Sequence, residues 1–351
     1  MYSIEQLIEQ KALNLGFEKC GIISTDRMKG YKEKFKERLD KVKESEPFYE
    51  GQKRLLKFQS DYPWAKSIIV ITIPYSKYNV PEELEGHIGK SYLYDIRIDE
   101  NSEENKNRNE FELFMESLGL KIAANHKFGI VGMRWAALEA GLGVIRRNNF
   151  FYSESGSWVH LEAWITDREM ELCHVTDIKP CPSGCNRCVN ACPTKSLTEG
   201  YTMNPLKCIS FLTTFGGRNL HTEPLAEQFG ECIYGCDICQ DVCPMNHKKW
   251  KGGKSFNGLD ELASSLTAEG IMNMKEDFYR NRIQPKFFYL NAEELWKWQV
   301  NALNFMNNQY KEDYRGLIIK ACNSEYEKVR EMAEYICRKR RLIIDNSVDI
   351  Q

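Results

Sequence analysis

The sequence predicts an α+β chain in three parts: a mixed-sheet domain over residues 1–170, a small cysteine-rich domain over 171–255, and paired helices over 256–351. Three observations carry this reading. The run Ser67-Ile-Ile-Val-Ile-Thr-Ile73 is β-branched and apolar at nearly every position, as in a strand covered on both faces. Cysteines crowd into residues 181–243, and apolar stripes at helical spacing return after them. At 351 residues the chain is long enough for two or three structural units.

Taken in order, Ser3 followed by Gln6 reads as a capping box, and Ile4, Leu7, Ile8 and Leu15 give a partial apolar stripe, so the chain opens with a helix that Gly16 helps to stop. The Ser67–Ile73 strand is the expected centre of the first sheet. The polar stretch from Asp99 to Asn109 has almost nothing to bury and reads as a surface loop leading into a helix from about Glu110 to Ala123. Residues 132–143 form a short helix ending in glycines, and Ser155 to Ile165 alternates as a strand. Gly141, Gly143 and Gly156 let backbone pass close to another group, either a flat cofactor or a neighbouring element, and packing is the commoner case.

Two runs in the cysteine-rich part are ferredoxin-like: Cys181-Pro-Ser-Gly-Cys185-Asn-Arg-Cys188-Val-Asn-Ala-Cys192-Pro193 and Cys236-Asp-Ile-Cys239-Gln-Asp-Val-Cys243-Pro244. With Cys208 they supply eight of the thirteen cysteines, which is what two cubane iron–sulfur clusters require. In two-cluster ferredoxins the last cysteine of each run ligates the cluster built mainly by the other. The expected ligand sets are therefore Cys181, Cys185, Cys188 and Cys243 for one 4Fe-4S cluster, and Cys192, Cys208, Cys236 and Cys239 for the other. Paired C-x2-C motifs also build zinc sites, but those do not usually end each run in a C-x3-C-P spacing. A disulfide framework fits less well, because no secretory signal opens this long chain. Cys232 is surplus to the count, and Cys20, Cys173, Cys322 and Cys337 read as small buried residues.

Beyond the cysteines, Asn291 with Glu294 marks a helix whose apolar face is Leu295, Trp298, Ala302, Phe305 and Met306. Ser324 with Glu327 starts another, with Val329, Met332, Ala333 and Ile336 inward. These suggest antiparallel helices of helical-repeat type without a clear period. The run from Arg338 to Arg341 is a dipole-favoured helix end or a nucleic-acid contact. Lys plus Arg number 48 against 50 Asp plus Glu, so net charge gives no sign of nucleic acid. No apolar stretch approaches the roughly twenty residues of a membrane span, and a soluble cytoplasmic protein is expected.

With these landmarks in order the sequence resembles the epoxyqueuosine reductase family, corrinoid-dependent iron–sulfur enzymes related to reductive dehalogenases. The resemblance rests on Leu15-Gly-Phe17 with Cys20-Gly-Ile-Ile, Pro74-Tyr75, Ala140-Gly-Leu-Gly143, Gly156-Ser-Trp158, both cysteine runs, Gly235-Cys-Asp-Ile-Cys-Gln240 and Asn301-Ala302. It implies a corrinoid-type N-terminal domain, with two clusters delivering electrons singly to a cobalamin. Its implied substrate is epoxyqueuosine in a transfer-RNA anticodon loop, an external low-potential electron donor is required, and no membrane is involved. By position it implies corrinoid contacts at Gly141, Gly143, Asn148, Ser157 and Trp158.

The departures concentrate at the substrate end. The family's proton-donating Asp falls at Lys127, so the expected carboxylic acid is absent from that position; epoxide opening needs a proton on the leaving oxygen, and Lys127 is the candidate replacement donor. The family's Asp-Tyr-His segment is replaced near Tyr94-Asp-Ile-Arg97, its Gly-Lys after the glycine turn is Arg146-Arg147, and its Cys-Pro-Trp-Asn is Cys243-Pro-Met-Asn246. The gap from Cys181 to Cys185 holds one residue more than in the family. The expectation is a corrinoid-dependent iron–sulfur reductase of this type whose substrate differs or whose proton comes from elsewhere. The alternative is an electron-transfer or reductive-activation protein for a partner corrinoid enzyme.

Overall fold

The computed structural model describes residues 2–95, 100–216 and 220–342. Arg97 and Asp99, named above, lie outside them. The first helix, α1 (Ile4–Asn14), opens on the expected capping box: Ser3 accepts from the Gln6 amide and the Gln6 side chain accepts from the Ser3 amide. Gly16, at φ +82°, ends it in a left-handed turn that other residues rarely adopt. The chain then enters β1 (Lys19–Ser24), followed by α2 (Lys29–Lys41) and β2 (Ser67–Pro74).

Four strands form one sheet in the order β1-β2-β6-β3, with β3 Ile122–Ala124 and β6 Val159–Thr166. Every pairing in it is antiparallel, whereas the sequence predicts a mixed sheet. The run at Ser67–Pro74 is buried along both faces as expected, but burial on both faces reports helical cover, not strand direction. One face of the sheet (Ile22, Ile69, Ile71, Trp164) packs on Ile8, Phe111 and Met115. The other (Ile23, Ile68, Val70, Ile165) packs on Ala136, Ala137 and Ala140.

The polar stretch before residue 109 is helix, not loop. The helix α3 spans Glu103–Ser117, capped by Ser102, which accepts from the Asn105 amide. Its polar residues are buried because partners await them: Tyr78 donates to Glu104 at 2.5 Å, and Lys77 Nζ lies 2.7 Å from the same carboxylate. A helix over Met133–Glu139 (α4) leads into a small hairpin, β4 Val144–Ile145 with β5 Phe151–Tyr152. After the cysteines, helices Leu295–Asn308 (α5), Arg315–Ala321 (α6) and Glu327–Arg340 (α7) pack together. The basic end of α7 is engaged: Lys339 pairs with Glu227, Arg338 with Glu334, and Arg340 donates to the Asn307 carbonyl. One continuous apolar core runs from Ile8 through Ile233 and Trp298 to Cys337. Parallel bridges Tyr78 to Lys254 and Ile88 to Tyr234 tie the cysteine segment to the first part.

Candidate functional site

Two short helices, Arg187–Ala191 and Ile238–Asp241, lie against each other, each carrying one cysteine and followed by another. Pro193 and Pro244, just after Cys192 and Cys243, cannot continue a helix and turn the chain out of it. The result is an exchange of ends. Cys181, Cys185, Cys188 and Cys243 line one pocket, and Cys192, Cys208, Cys236 and Cys239 line another. The eight sulfurs thus fall into the two groups expected from the spacing.

Burial pushes the thiols of Cys188, Cys208 and Cys239 up, and neighbouring cysteines add to it. Cys236 is raised by a hydrogen bond with Cys232 and by burial. Thiols packed this way become thiolates only when cationic iron compensates them.

The first pocket is rich in arginine. Arg146, Arg147 and Arg187 line it with the four cysteines, and among the described residues no carboxylate does. Arg146 is only 2% exposed, lies over the Tyr152 ring, and keeps Nε and Nη1 without a hydrogen-bond partner. Arg147 donates its amide to Cys181 Sγ at 3.4 Å. A buried cation lacking a counter-charge is costly, and a cubane held by four thiolates is anionic, so this pocket fits such a group.

The second pocket is itself a cavity of about 350 Å³, walled also by Phe48, Tyr92, Phe211 and Phe215. Asn148 lines both cysteine pockets, and its amide donates to the Tyr152 hydroxyl at 2.8 Å and the Cys239 carbonyl at 3.1 Å. Its neighbour Asn149, at φ +66°, lines this cavity and a further one of about 600 Å³. Arg134 lines both cavities too. Arg134 donates to the Asn149 carbonyl, and Arg38 to its side-chain oxygen at 3.3 Å. Burial and the adjacent Arg38 lower Arg134 to about 10. The larger cavity is lined by Lys34, Arg38, Lys41 and Arg134 against the single carboxylate of Glu37, so it favours anionic groups.

Of the residues expected at a corrinoid, Asn148 alone lines a cavity described here. A Cβ on Gly141 would meet the His174 carbonyl at 1.8 Å, and one on Gly143 the Tyr152 carbonyl at 2.1 Å, so both glycines serve backbone packing. Ser157 is buried, donating to Gln240 at 2.8 Å and binding Asn246. Trp158 is buried edge-on to Trp250, with Lys90 Nζ 4.9 Å from its ring. Lys127 is exposed in the loop joining β3 to α4, its ammonium 5.5 Å from the Phe128 ring and 5.0 Å from Phe288. Phe128 lines the larger cavity.

That loop is clamped from two sides. Arg54 donates to the carbonyls of Phe128 and Gly129, each at 2.6 Å. His126 sits between Glu112, at 2.8 Å, and Glu162, at 3.0 Å, with Arg108 behind. Burial alone would lower His126, but the two carboxylates outweigh it and raise the imidazole to about 9. Sequence reasoning missed this cluster because its members are 14 and 36 residues from His126. It recorded Arg146 only as a departure, and the arginine pair at Asn149 left no signal in spacing.

The domain family described as "4Fe-4S double cluster binding domain" matches residues 181–246. The chain therefore carries a double 4Fe-4S cluster-binding domain. It is 38% identical over 115 residues to an epoxyqueuosine reductase of Prochlorococcus marinus and 30% identical over 220 residues to one of Lactococcus garvieae. The chain is a divergent relative of the epoxyqueuosine reductases. The matches cover 32% and 58% of this chain, and span 36% and 60% of those reductases' own lengths. A crystal structure of epoxyqueuosine reductase with an epoxyqueuosine-modified tRNA-Tyr stem loop shares the fold, with a TM-score of 0.73 at 20% identity, over 95% of this chain and 89% of that one. Among the described residues no helix is long and apolar enough to cross a membrane.

Proposed function

We propose that this chain is a corrinoid-dependent iron–sulfur reductase of the epoxyqueuosine-reductase type. In this reading Cys181, Cys185, Cys188 and Cys243 hold one 4Fe-4S cluster, and Cys192, Cys208, Cys236 and Cys239 hold the other. The observation that carries it is that the second quartet's aromatic, amide-edged cavity shares Asn149 and Arg134 with the larger cavity of about 600 Å³, giving a cofactor room beside the quartet. A corrinoid is a broad ring with amide arms, and flat apolar walls with Asn148 and Asn149 at one edge suit it. When bound, it supplies low-valent cobalt able to reduce an electrophile.

The protein's own part is to exclude water with Phe48, Phe211 and Phe215, and to hold the cavity neck through Asn149 and its two arginines. Arg38 and Arg134 orient an anionic part of the substrate, such as a phosphate of a transfer-RNA anticodon loop. Lys127, next to Phe128 of the larger cavity's wall, occupies the candidate donor position, and Tyr31, half-buried in that cavity and raised chiefly by burial, holds a further proton there. Epoxyqueuosine in transfer RNA is the first substrate to try, with electrons from an external low-potential donor. The second reading, a carrier that reduces a partner's corrinoid, is favoured by the exposure of Lys127 where an acid is needed.

Anaerobic reconstitution with iron, sulfide and cobalamin decides between them. The reductase reading expects about two clusters, a corrinoid absorption band retained through gel filtration, and queuosine formed from modified stem loop. Iron loading without retained cobalamin would overturn it, whereas cobalamin reduction with no product would favour the carrier.

A further inference from the structure

The two quartets sit in unequal electrostatic surroundings. Among the described residues three arginines and no carboxylate line the first, and the decisive one is Arg146, 2% exposed with two unpartnered nitrogens. Arg187 is exposed, so water and salt screen it. At the second quartet, Asp237 stands in the loop between Cys236 and Cys239, and its buried carboxylate, 9% exposed, accepts from the Lys90 amide at 2.7 Å. Lys90 Nζ stands 3.7 Å from it and partly offsets it, and Asp241 adds a further negative charge beside Lys90. Arg134 is the one arginine lining that side.

Taking both quartets as cluster sites, as proposed above, we infer that Arg146 makes the Cys181–Cys185–Cys188–Cys243 cluster the electron-holding member of the pair, with a reduction potential above that of its neighbour. Reduction adds one negative charge to an already anionic cluster. A fixed, desolvated cation stabilises that charge and raises the potential, while a buried carboxylate lowers it. The amide of Arg147 on Cys181 Sγ acts in the same direction. An electron from an external one-electron donor therefore fills the first cluster first. It would pass to the second whenever that cluster is oxidised, returning the first to its oxidised state, and the second would then hand it to the acceptor in the cavity that its quartet lines. Asn148, lining both pockets, stands between the two.

The test is a dithionite titration of the iron-loaded protein followed by electron paramagnetic resonance, with Arg146→Met, Arg146→Lys and Asp237→Asn variants alongside. Wild type should show two separate midpoints. Arg146→Met should lower the higher one and leave the lower in place, Arg146→Lys should restore it, and Asp237→Asn should raise the lower one. A single shared midpoint in wild type overturns the inference, as does an Arg146→Met change that moves both midpoints equally or neither. Should Arg146→Met lose iron, the wild-type titration together with Asp237→Asn still decides. Iron content measured on the same samples separates this outcome from failure of the cluster assignment, which would appear as wild-type protein without two clusters.

Discussion

Around one cysteine quartet the protein packs arginine, and around the other it packs aromatic rings, amides and an aspartate. The same ligand chemistry thus meets two different solvents. A cluster takes its potential from charge, hydrogen bonds to sulfur and exposure, so one repeated motif yields two unequal electron sites once its surroundings differ. Each quartet borders a cavity: the arginine-lined one meets, at Arg187 and Cys243, an open pocket of about 610 Å³ that Asp241 and His247 also line, and the aromatic-lined one faces a cavity of about 350 Å³ that shares Asn149 and Arg134 with the larger basic cavity. In the reading proposed above, the unequal surroundings fall in the order that a relay from donor to acceptor needs.

The sharpest way to break this comparison is to delete one site. Cys239→Ala should lose about half the iron and bring substrate reduction to background, with the arginine-side signal retained. Loss of both signals would mean that the quartets do not form independently. Next in size is Asn148→Ala, which removes donors to the Tyr152 hydroxyl and the Cys239 carbonyl. Chemical denaturation should show a loss of about 1–3 kcal/mol from the unmet buried groups, and reoxidation of the first cluster should slow. Unchanged intercluster transfer would detach Asn148 from the relay.

The smallest effect is a control on scaffold electrostatics. His126 is raised to about 9 in the folded chain, so its contribution is full below the unfolded value of about 6.5. It fades as pH climbs through 9. Stability measured from pH 6.5 to 9.5 should fall by roughly 2 kcal/mol in wild type and by less in His126→Gln, with both cluster potentials unaffected by the substitution. An equal decline in the variant would assign the pH dependence to other groups.

The grouping of the eight cysteines along two pockets was legible in the sequence. Cluster ligands obey spacing, and the C-P ending announced that each run lends its last cysteine to the other group. The helix starts at Ser3 and the covered strand at Ser67 were legible for the same reason, since caps and apolar runs are local. What escaped was tertiary. Residues before Asn109 looked too polar to order, yet Glu104 and Arg108 are buried because Tyr78, Lys77 and Glu162 approach from elsewhere. Gly141 and Gly143 could have faced a cofactor or a backbone, and only the carbonyls of His174 and Tyr152 distinguish the two. Strand direction in the sheet was hidden because burial on both faces is shared by parallel and helix-covered antiparallel sheets.

The central claim is that eight named cysteines divide into two cubane sites. Anaerobic iron and acid-labile sulfide analysis of wild type, Cys239→Ala and Cys232→Ser tests it most directly. The account predicts about eight irons per chain in wild type and in Cys232→Ser, and about four in Cys239→Ala. Zinc in place of iron, or a Cys232→Ser protein that loses a cluster, would contradict it.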